Sequence, residues 1–326
     1  MKIAVLGAGA WGSALAISLA ADHEMRLWSR RPSDCVSLSK ERVSRYLPNF
    51  RLPENLRIEA DLARAVEAAE LIIIATATAG LRPVAEALRA SARPPALLWA
   101  CKGFETASRR LPHEVVAEVL PETRRVGVLS GPSFALEVAR AQPTALVLAS
   151  RDRQFASESV AGLNSARLRL YSSADVIGVE LGGAVKNVIA IAAGISDGLA
   201  LGRNARAALI TRGLAEIVRL GLAMGGQAET FMGLAGVGDL VLTCTGDLSR
   251  NRDVGVRLAR GGALTEVLSE LGHVAEGVHS ARAALALARE HGVEMPITEA
   301  VCAVLFEGEA PGQAVRRLLA RDPGPE

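Results

Sequence analysis

Aromatic residues make up only 3% of this 326-residue chain, although half of it is hydrophobic. A core so poor in rings must be filled by Ala, Val, Leu and Ile, which suits buried strands and closely spaced helices. Charge of one sign is missing too: 37 Lys+Arg against 35 Asp+Glu leave a formal +2. With no Lys/Arg run interleaved with aromatics, the expectation is that no nucleic acid is bound. The four cysteines, Cys35, Cys101, Cys244 and Cys302, form no C-x-x-C pair. Free thiols in a reducing cytoplasm are expected, and a structural zinc site is not. No cluster of His and carboxylates has ligand spacing, so metal assistance is not required. Long apolar runs are also lacking, and none reaches the ~20 residues of a membrane span. The apolar stretch after Lys2 could pass for a secretion signal, but Gly7, Gly9 and Gly12 break it. A soluble, cytoplasmic protein without membrane insertion is expected.

What is present is a rhythm. Short apolar runs at Ile3–Leu6, Met25–Trp28, Leu71–Ala75, Ala96–Ala100, Val126–Leu129 and Ala145–Ala149 alternate with helical patterns. Such alternation predicts an α/β N-terminal domain of Rossmann type, a doubly wound and mostly parallel sheet covered on both faces. After about residue 175 the rhythm stops. Ala/Leu-rich helical patterns follow at roughly 176–198, 204–225, 275–291 and 296–307. We therefore expect a dinucleotide-binding domain over 1–178 and an all-α substrate domain over 179–326, joined directly by a helix. The Pro/Gly tail from Arg321 has no apolar content and is expected to fray.

Gly7-Ala8-Gly9-Ala10-Trp11-Gly12 follows the first run and opens a helical pattern. In that context the first glycine permits a tight turn, the second lets backbone approach a pyrophosphate, and the third lets helix and strand pack. The free N–H groups of the helix start then meet the phosphates. The second run ends at Trp28 and continues Ser29-Arg30-Arg31. An NAD site usually places a carboxylate there for the ribose 2′-hydroxyl. Two cations suit a 2′-phosphate instead, so NADPH is expected to be preferred over NADH.

Three further segments carry chemistry. In Val179–Gly194 a helix would put Lys186 on one face with Gly182, Ala190 and Ala193, and Asn187 with Gly183, Ile191 and Gly194. A lysine among small residues on an apolar helix has no ready solvated face, and the small neighbours would leave room for a ligand. In Gly236–Arg252, Asp239 falls in a glycine-rich turn. Ser249 there reads as a helix cap, and Arg250 beside the helix start makes a phosphate pocket. Ser130-Gly131-Pro132-Ser133-Phe134-Ala135 ends a strand and starts a helix at the edge of the sheet where ligands bind.

Together these segments resemble the bacterial NAD(P)-dependent glycerol-3-phosphate dehydrogenases over nearly the whole length. Tyr46-Leu-Pro-Asn49, Lys102-Gly103 and Val274-Ala-Glu-Gly277 extend the match. The resemblance implies interconversion of dihydroxyacetone phosphate and sn-glycerol 3-phosphate, feeding phospholipid synthesis. It implies that Lys186 donates and accepts the proton. Lys102, Gly131, Ser133, Asp239, Ser249, Arg250 and Asn251 would contact the substrate, with Asn187 and Thr243 as further hydrogen-bond candidates. Beyond the glycine loop, Ala10, Trp11, Arg30, Arg31, Tyr46, Lys102, Ala135, Arg250, Val274 and Glu276 would line the cofactor. A small phosphorylated substrate is the implied partner, and a homodimer is the expected assembly. Arg45 departs from the pattern, which has Asn there. The same two-domain plan also serves 3-hydroxyacid and ketopantoate-type dehydrogenases, whose substrates carry carboxylate rather than phosphate.

Overall fold

The computed structural model describes residues 1–91, 95–272 and 274–321, so the expected fraying beyond Arg321 concerns residues outside those described. The chain divides into two compact units, 1–105 with 110–176 and 106–109 with 177–326.

Among its described residues the first unit holds ten strands: β1 (Lys2–Leu6), β2 (Glu24–Trp28), β3 (Val43–Ser44), β4 (Leu47–Arg51), β5 (Arg57–Glu59), β6 (Leu71–Ile74), β7 (Leu97–Trp99), β8 (Val126–Ser130), β9 (Thr144–Ala149) and β10 (Leu168–Ser173). Eight of them form one sheet in the order β10-β9-β8-β7-β6-β1-β2-β5, and β3 and β4 make a separate hairpin. Every pairing in the large sheet is parallel except β8 with β9. All six apolar runs are strands, within one residue at each end. The strands missed lie where no continuous apolar run is needed. The edge strand β10 alternates buried Leu168 and Leu170 with exposed Arg169 and Tyr171, and β5 spans only Arg57-Ile58-Glu59. In the large sheet, strand order reverses at β1, with β2 on one side and β6 on the other. That switch point opens a crevice at the carboxyl ends of the two central strands.

Among its described residues the second unit is helical. Val176–Gly198, Gly202–Ala223, Glu276–Glu290 and Pro296–Phe306 match the four sequence patterns, and Asp239–Thr245, Arg250–Ala259, Leu264–Leu271 and Pro311–Leu319 add to them. Helix Val176–Gly198 is long and apolar enough to cross a membrane by length and composition, but nearly all of its apolar window is buried within the protein. Its glycines explain how. A Cβ on Gly182 would come within 2.6 Å of the Ala235 carbonyl, and one on Gly194 would collide with the Arg252 carbonyl. Ala190 and Ala193 are likewise fully buried. On the Lys186 face, Gly182 therefore admits neighbouring backbone, and the buried Ala190 and Ala193 leave no open space for the ligand their pattern suggested. Close approach of this kind gives the helix dense contact without large side chains.

Candidate active site

In the first unit the glycine loop sits at the switch point. Gly7 adopts φ +124°, a conformation that side chains resist, and its amide donates to the Trp28 carbonyl at 2.9 Å. A Cβ there would stand 2.8 Å from the Ala75 carbonyl, and one on Gly12 would collide with the Gly7 carbonyl. Gly9 is different: a Cβ would meet nothing within 4 Å. Gly9 precedes helix Ala10–Leu19, which has neither a side-chain cap nor an acidic residue in its first turn. Two glycines thus make the turn and the third faces open space before uncapped N–H groups, a cradle that fits a pyrophosphate. Beside it, the buried Thr76 hydroxyl has no hydrogen-bond partner among the described residues, while the Thr76 amide lies against Gly7. Sequence reasoning passed over Thr76. Its signal was a hydroxyl just past the strand facing the glycine loop.

Ala10, Trp11 and Ala135 pack around one small apolar cluster that includes Leu47 of β4. This carries the adjacent Tyr46 to the same side of the fold. Arg30 and Arg31 are exposed, and neither makes an ion pair or side-chain hydrogen bond among the described residues. Lys102, Gly131 and Ser133 do meet: the lysine ammonium and the serine hydroxyl both donate to the Gly131 carbonyl at 2.9 Å. Gly131 holds φ +133°, so glycine is required at the point where the two donors converge.

The second unit contains three linked groups. Lys186 is only 6% exposed and Asp239 1%, and the ammonium donates to Asp239 Oδ1 in a short contact. It also donates to Thr243 Oγ1 at 2.9 Å, and that hydroxyl donates to the Asp239 carbonyl at 2.6 Å. Asp239 is the first residue of helix Asp239–Thr245, and the glycine-rich segment Leu234–Gly238 before it is π-helical, so Asp239 does not lie within a turn as the sequence suggested. One helical turn then separates the two groups that grip the ammonium.

Second, Asn251 Nδ2 donates to Asn187 Oδ1 at 2.9 Å, while its Oδ1 accepts from the Gly277 amide at 3.0 Å. Asn187 Nδ2 in turn donates to the Gly183 carbonyl at 3.0 Å. This buried relay ties three helices together, and its members are sequence neighbours of Lys186, Arg250 and Glu276. Third, Ser249 caps helix Arg250–Ala259 by accepting from the Arg252 amide, as expected. The Arg250 guanidinium makes no hydrogen bond or ion pair among the described residues. Arg250 is exposed to water, and the surrounding protein still lowers its pKa from the usual value by desolvation, with the Glu276 carboxylate opposing. An arginine stays cationic regardless, so this one can attract an anion. Val274 is exposed ahead of helix Glu276–Glu290.

Comparison with known proteins agrees with both units. Residues 2–156 match the model for the N-terminus of NAD-dependent glycerol-3-phosphate dehydrogenases, and residues 175–316 match the model for their C-terminus. The chain is 58% identical over 323 residues to glycerol-3-phosphate dehydrogenase [NAD(P)+] of Thiobacillus denitrificans, covering 99% of this chain and 98% of that one. It is 56% identical over 331 residues to the enzyme of the same name from Nitrosospira multiformis, covering 100% and 99%. Among solved structures, glycerol-3-phosphate dehydrogenase from Coxiella burnetii superimposes with a TM-score of 0.94 at 45% identity, covering 98% of this chain and 99% of that chain.

Proposed function

The chain belongs to the NAD-dependent glycerol-3-phosphate dehydrogenase family, and from that premise we propose a division of labour among its residues in reducing dihydroxyacetone phosphate to sn-glycerol 3-phosphate and in the reverse oxidation. The enzyme uses NADP(H) or NAD(H). The bound nicotinamide supplies or takes up the hydride; the residues do the rest. Gly7, Gly9 and Gly12 with the start of helix Ala10–Leu19 hold the pyrophosphate. Trp11, Tyr46, Ala135, Val274 and Glu276 line the remainder of the cofactor. Arg30 and Arg31 face the 2′-phosphate, which favours NADPH.

Lys186 is the proton donor in reduction. When the ketone carbon gains a hydride its oxygen becomes anionic, and an ammonium can both stabilise that charge and surrender a proton to it. Oxidation of the alcohol runs the same transfer backwards. The observation that supports this role is the grip of Asp239 and Thr243, which fixes the ammonium without a surface to snorkel to. Arg250 takes the substrate phosphate, with Ser249, whose hydroxyl oxygen is engaged as a cap while its hydrogen stays available. Lys102, Gly131 and Ser133 complete the substrate contacts. Asn187 and Asn251 serve mainly through their relay, holding Lys186, Arg250 and Glu276 in register. Unlike a carboxylate-reading enzyme of the same plan, this set should discriminate for phosphate. A homodimer and a cytoplasmic location belong to the same proposal, checked by light scattering and by cell fractionation.

The deciding experiment is initial rates with dihydroxyacetone phosphate against NADPH and NADH, followed at 340 nm. Turnover with both and a higher kcat/KM for NADPH is expected. Preference for a 2-keto acid over the phosphorylated ketone would overturn the assignment.

A further inference from the structure

The β3–β4 hairpin turns at two residues, Arg45 and Tyr46, between the paired Ser44 and Leu47. The Arg45 guanidinium lies over the Tyr46 ring at 4.8 Å and donates to the Tyr46 hydroxyl at 2.7 Å. Its second partner is more informative. Nη2 also reaches Asp34 Oδ2 at 3.4 Å, and Asp34 lies in the first turn of helix Pro32–Glu41, whose N-cap is Arg31. The hairpin tip thus brings a third guanidinium to the helix start that follows Arg30 and Arg31. One helical turn spans about 5.4 Å, so the Arg45 head is within reach of whatever anion those two arginines hold. The Arg45 side chain is 54% exposed, and its Nε and Nη1 groups donate to nothing among the described residues.

The pairing with Asp34 matters electrostatically as well. A carboxylate in the first turn of a helix competes with any anionic ligand for the positive end of the helix dipole. Asp34 is the first acidic residue after β2, and Arg45 offsets its charge where a phosphate would be repelled. Tyr46 holds the guanidinium plane from below, which lowers the entropy lost when its free edge binds.

We propose that Arg45 is a specificity residue for the 2′-phosphate of NADP(H), acting with Arg30 and Arg31 through its unused donors while neutralising Asp34. This rests on the reading that Arg30 and Arg31 face that phosphate, and the test separates the two. Binding is measured by calorimetric titration with adenosine 2′,5′-bisphosphate and with 5′-AMP, so no turnover is involved. Arg45→Gln should raise the Kd for the bisphosphate roughly tenfold to a hundredfold, the worth of a lost charge-assisted hydrogen bond. The Kd for 5′-AMP should change less than about twofold. Arg45→Lys should recover part of the loss, because it restores charge without the fork. Arg45 lies on an exposed turn, and a thermal melt of each variant verifies that the hairpin change leaves the fold intact. If Arg30→Ala/Arg31→Ala weakens bisphosphate binding but Arg45→Gln does not, the role of Arg45 is overturned and the underlying reading stands. If the double variant also leaves binding unchanged, both fall. Equal weakening of both ligands by Arg45→Gln also overturns the proposal, since it would mean that Arg45 acts by holding the adenosine side of the site through Tyr46.

Discussion

Replacing Lys186 by Met tests the mechanism and a structural cost together. The substitution keeps most of the side-chain volume but removes the proton and the charge. Catalysis of ketone reduction should fall by roughly 10²–10⁴-fold, the usual worth of a positioned acid or base. From the sequence, loss of this cation is not expected to destabilise the helix, since an alanine there is the better helix former and the neighbours are small. The geometry gives a reason for stability to fall. Asp239 is 1% exposed and the ammonium is its bonded cation, so the variant leaves a buried carboxylate charge without that counter-ion. Breaking one side of a buried pair typically costs about 3–5 kcal/mol. The Thr243 hydroxyl also loses its donor, although it keeps its own bond to the Asp239 carbonyl.

The double variant Lys186→Met/Asp239→Asn separates the two consequences. It removes both charges, leaves a neutral amide able to bond Thr243, and should recover most of the lost stability. It should recover none of the activity, since no group that can transfer the proton has been restored. Denaturant melts and stopped-flow turnover on the wild type, both single variants and the double variant give the complete cycle. Near-normal turnover in Lys186→Met would refute Lys186 as proton donor and as oxyanion partner. Unchanged stability in that variant would refute the argument from the buried pair, whatever the rates.

Arg250→Ala should raise the substrate KM by roughly tenfold to a hundredfold with kcat less affected, and Arg250→Lys should recover only part; inorganic phosphate should compete with substrate in the wild type, and an unchanged KM would place the phosphate elsewhere. Asn251→Leu, which cuts the relay, should lower kcat and weaken cofactor binding together, and Asn251→Asp should rescue neither, because a carboxylate cannot donate to Asn187 Oδ1; loss confined to substrate KM would argue for direct contact alone. Glu216 is buried at 1% exposure and accepts from the Ile297 amide at 2.5 Å, the Thr298 amide at 3.1 Å and the Thr298 hydroxyl at 2.9 Å, yet burial outweighs these bonds and pushes its carboxyl up to about 7. Since the unfolded carboxyl ionises near 4.5, this group stabilises the fold fully below that pH and the contribution, about 3 kcal/mol, is lost as pH rises through 7; Glu216→Gln should flatten the dependence of Tm on pH between 5 and 8.

Much of the fold was legible because the central strands are buried on both faces and therefore read as continuous runs. The edge strands β5 and β10 were not, since half-exposed strands mix Arg, Glu and Ser among few apolar residues. Lys186 was legible for a related reason: a cation at 6% exposure stands out in a run that is otherwise Ala, Val, Ile and Gly. Its partners were less so. Asp239 and Thr243 are 53 and 57 residues away, and no local pattern states that one helix start will meet another helix mid-length. Asp239 itself read as a turn residue because Gly236 and Gly238 precede it, and only packing turns that segment into a helix start.

The small residues around Lys186 show how one sequence pattern admits two readings. A glycine or alanine stripe signals that something approaches closely, but sequence does not say whether that is a ligand or another backbone. At Gly9 the space is open, with nothing within 4 Å of an added Cβ. At Gly182, Gly194 and Gly277 the space is taken by the carbonyls of Ala235, Arg252 and Asn187. Those close approaches put the helix ends bearing Asp239, Arg250 and Glu276 against the lysine helix, at separations side chains would otherwise prevent. The glycines thus act on the chemistry at one remove: they set backbone distances, and those distances bring Asp239 and Thr243 onto Lys186 and Asn251 onto Asn187. Any substitution that adds a Cβ at Gly277, within 2.5 Å of the Asn187 carbonyl, must push apart the helices that the relay joins, and so acts on the site without adding or removing a reacting group.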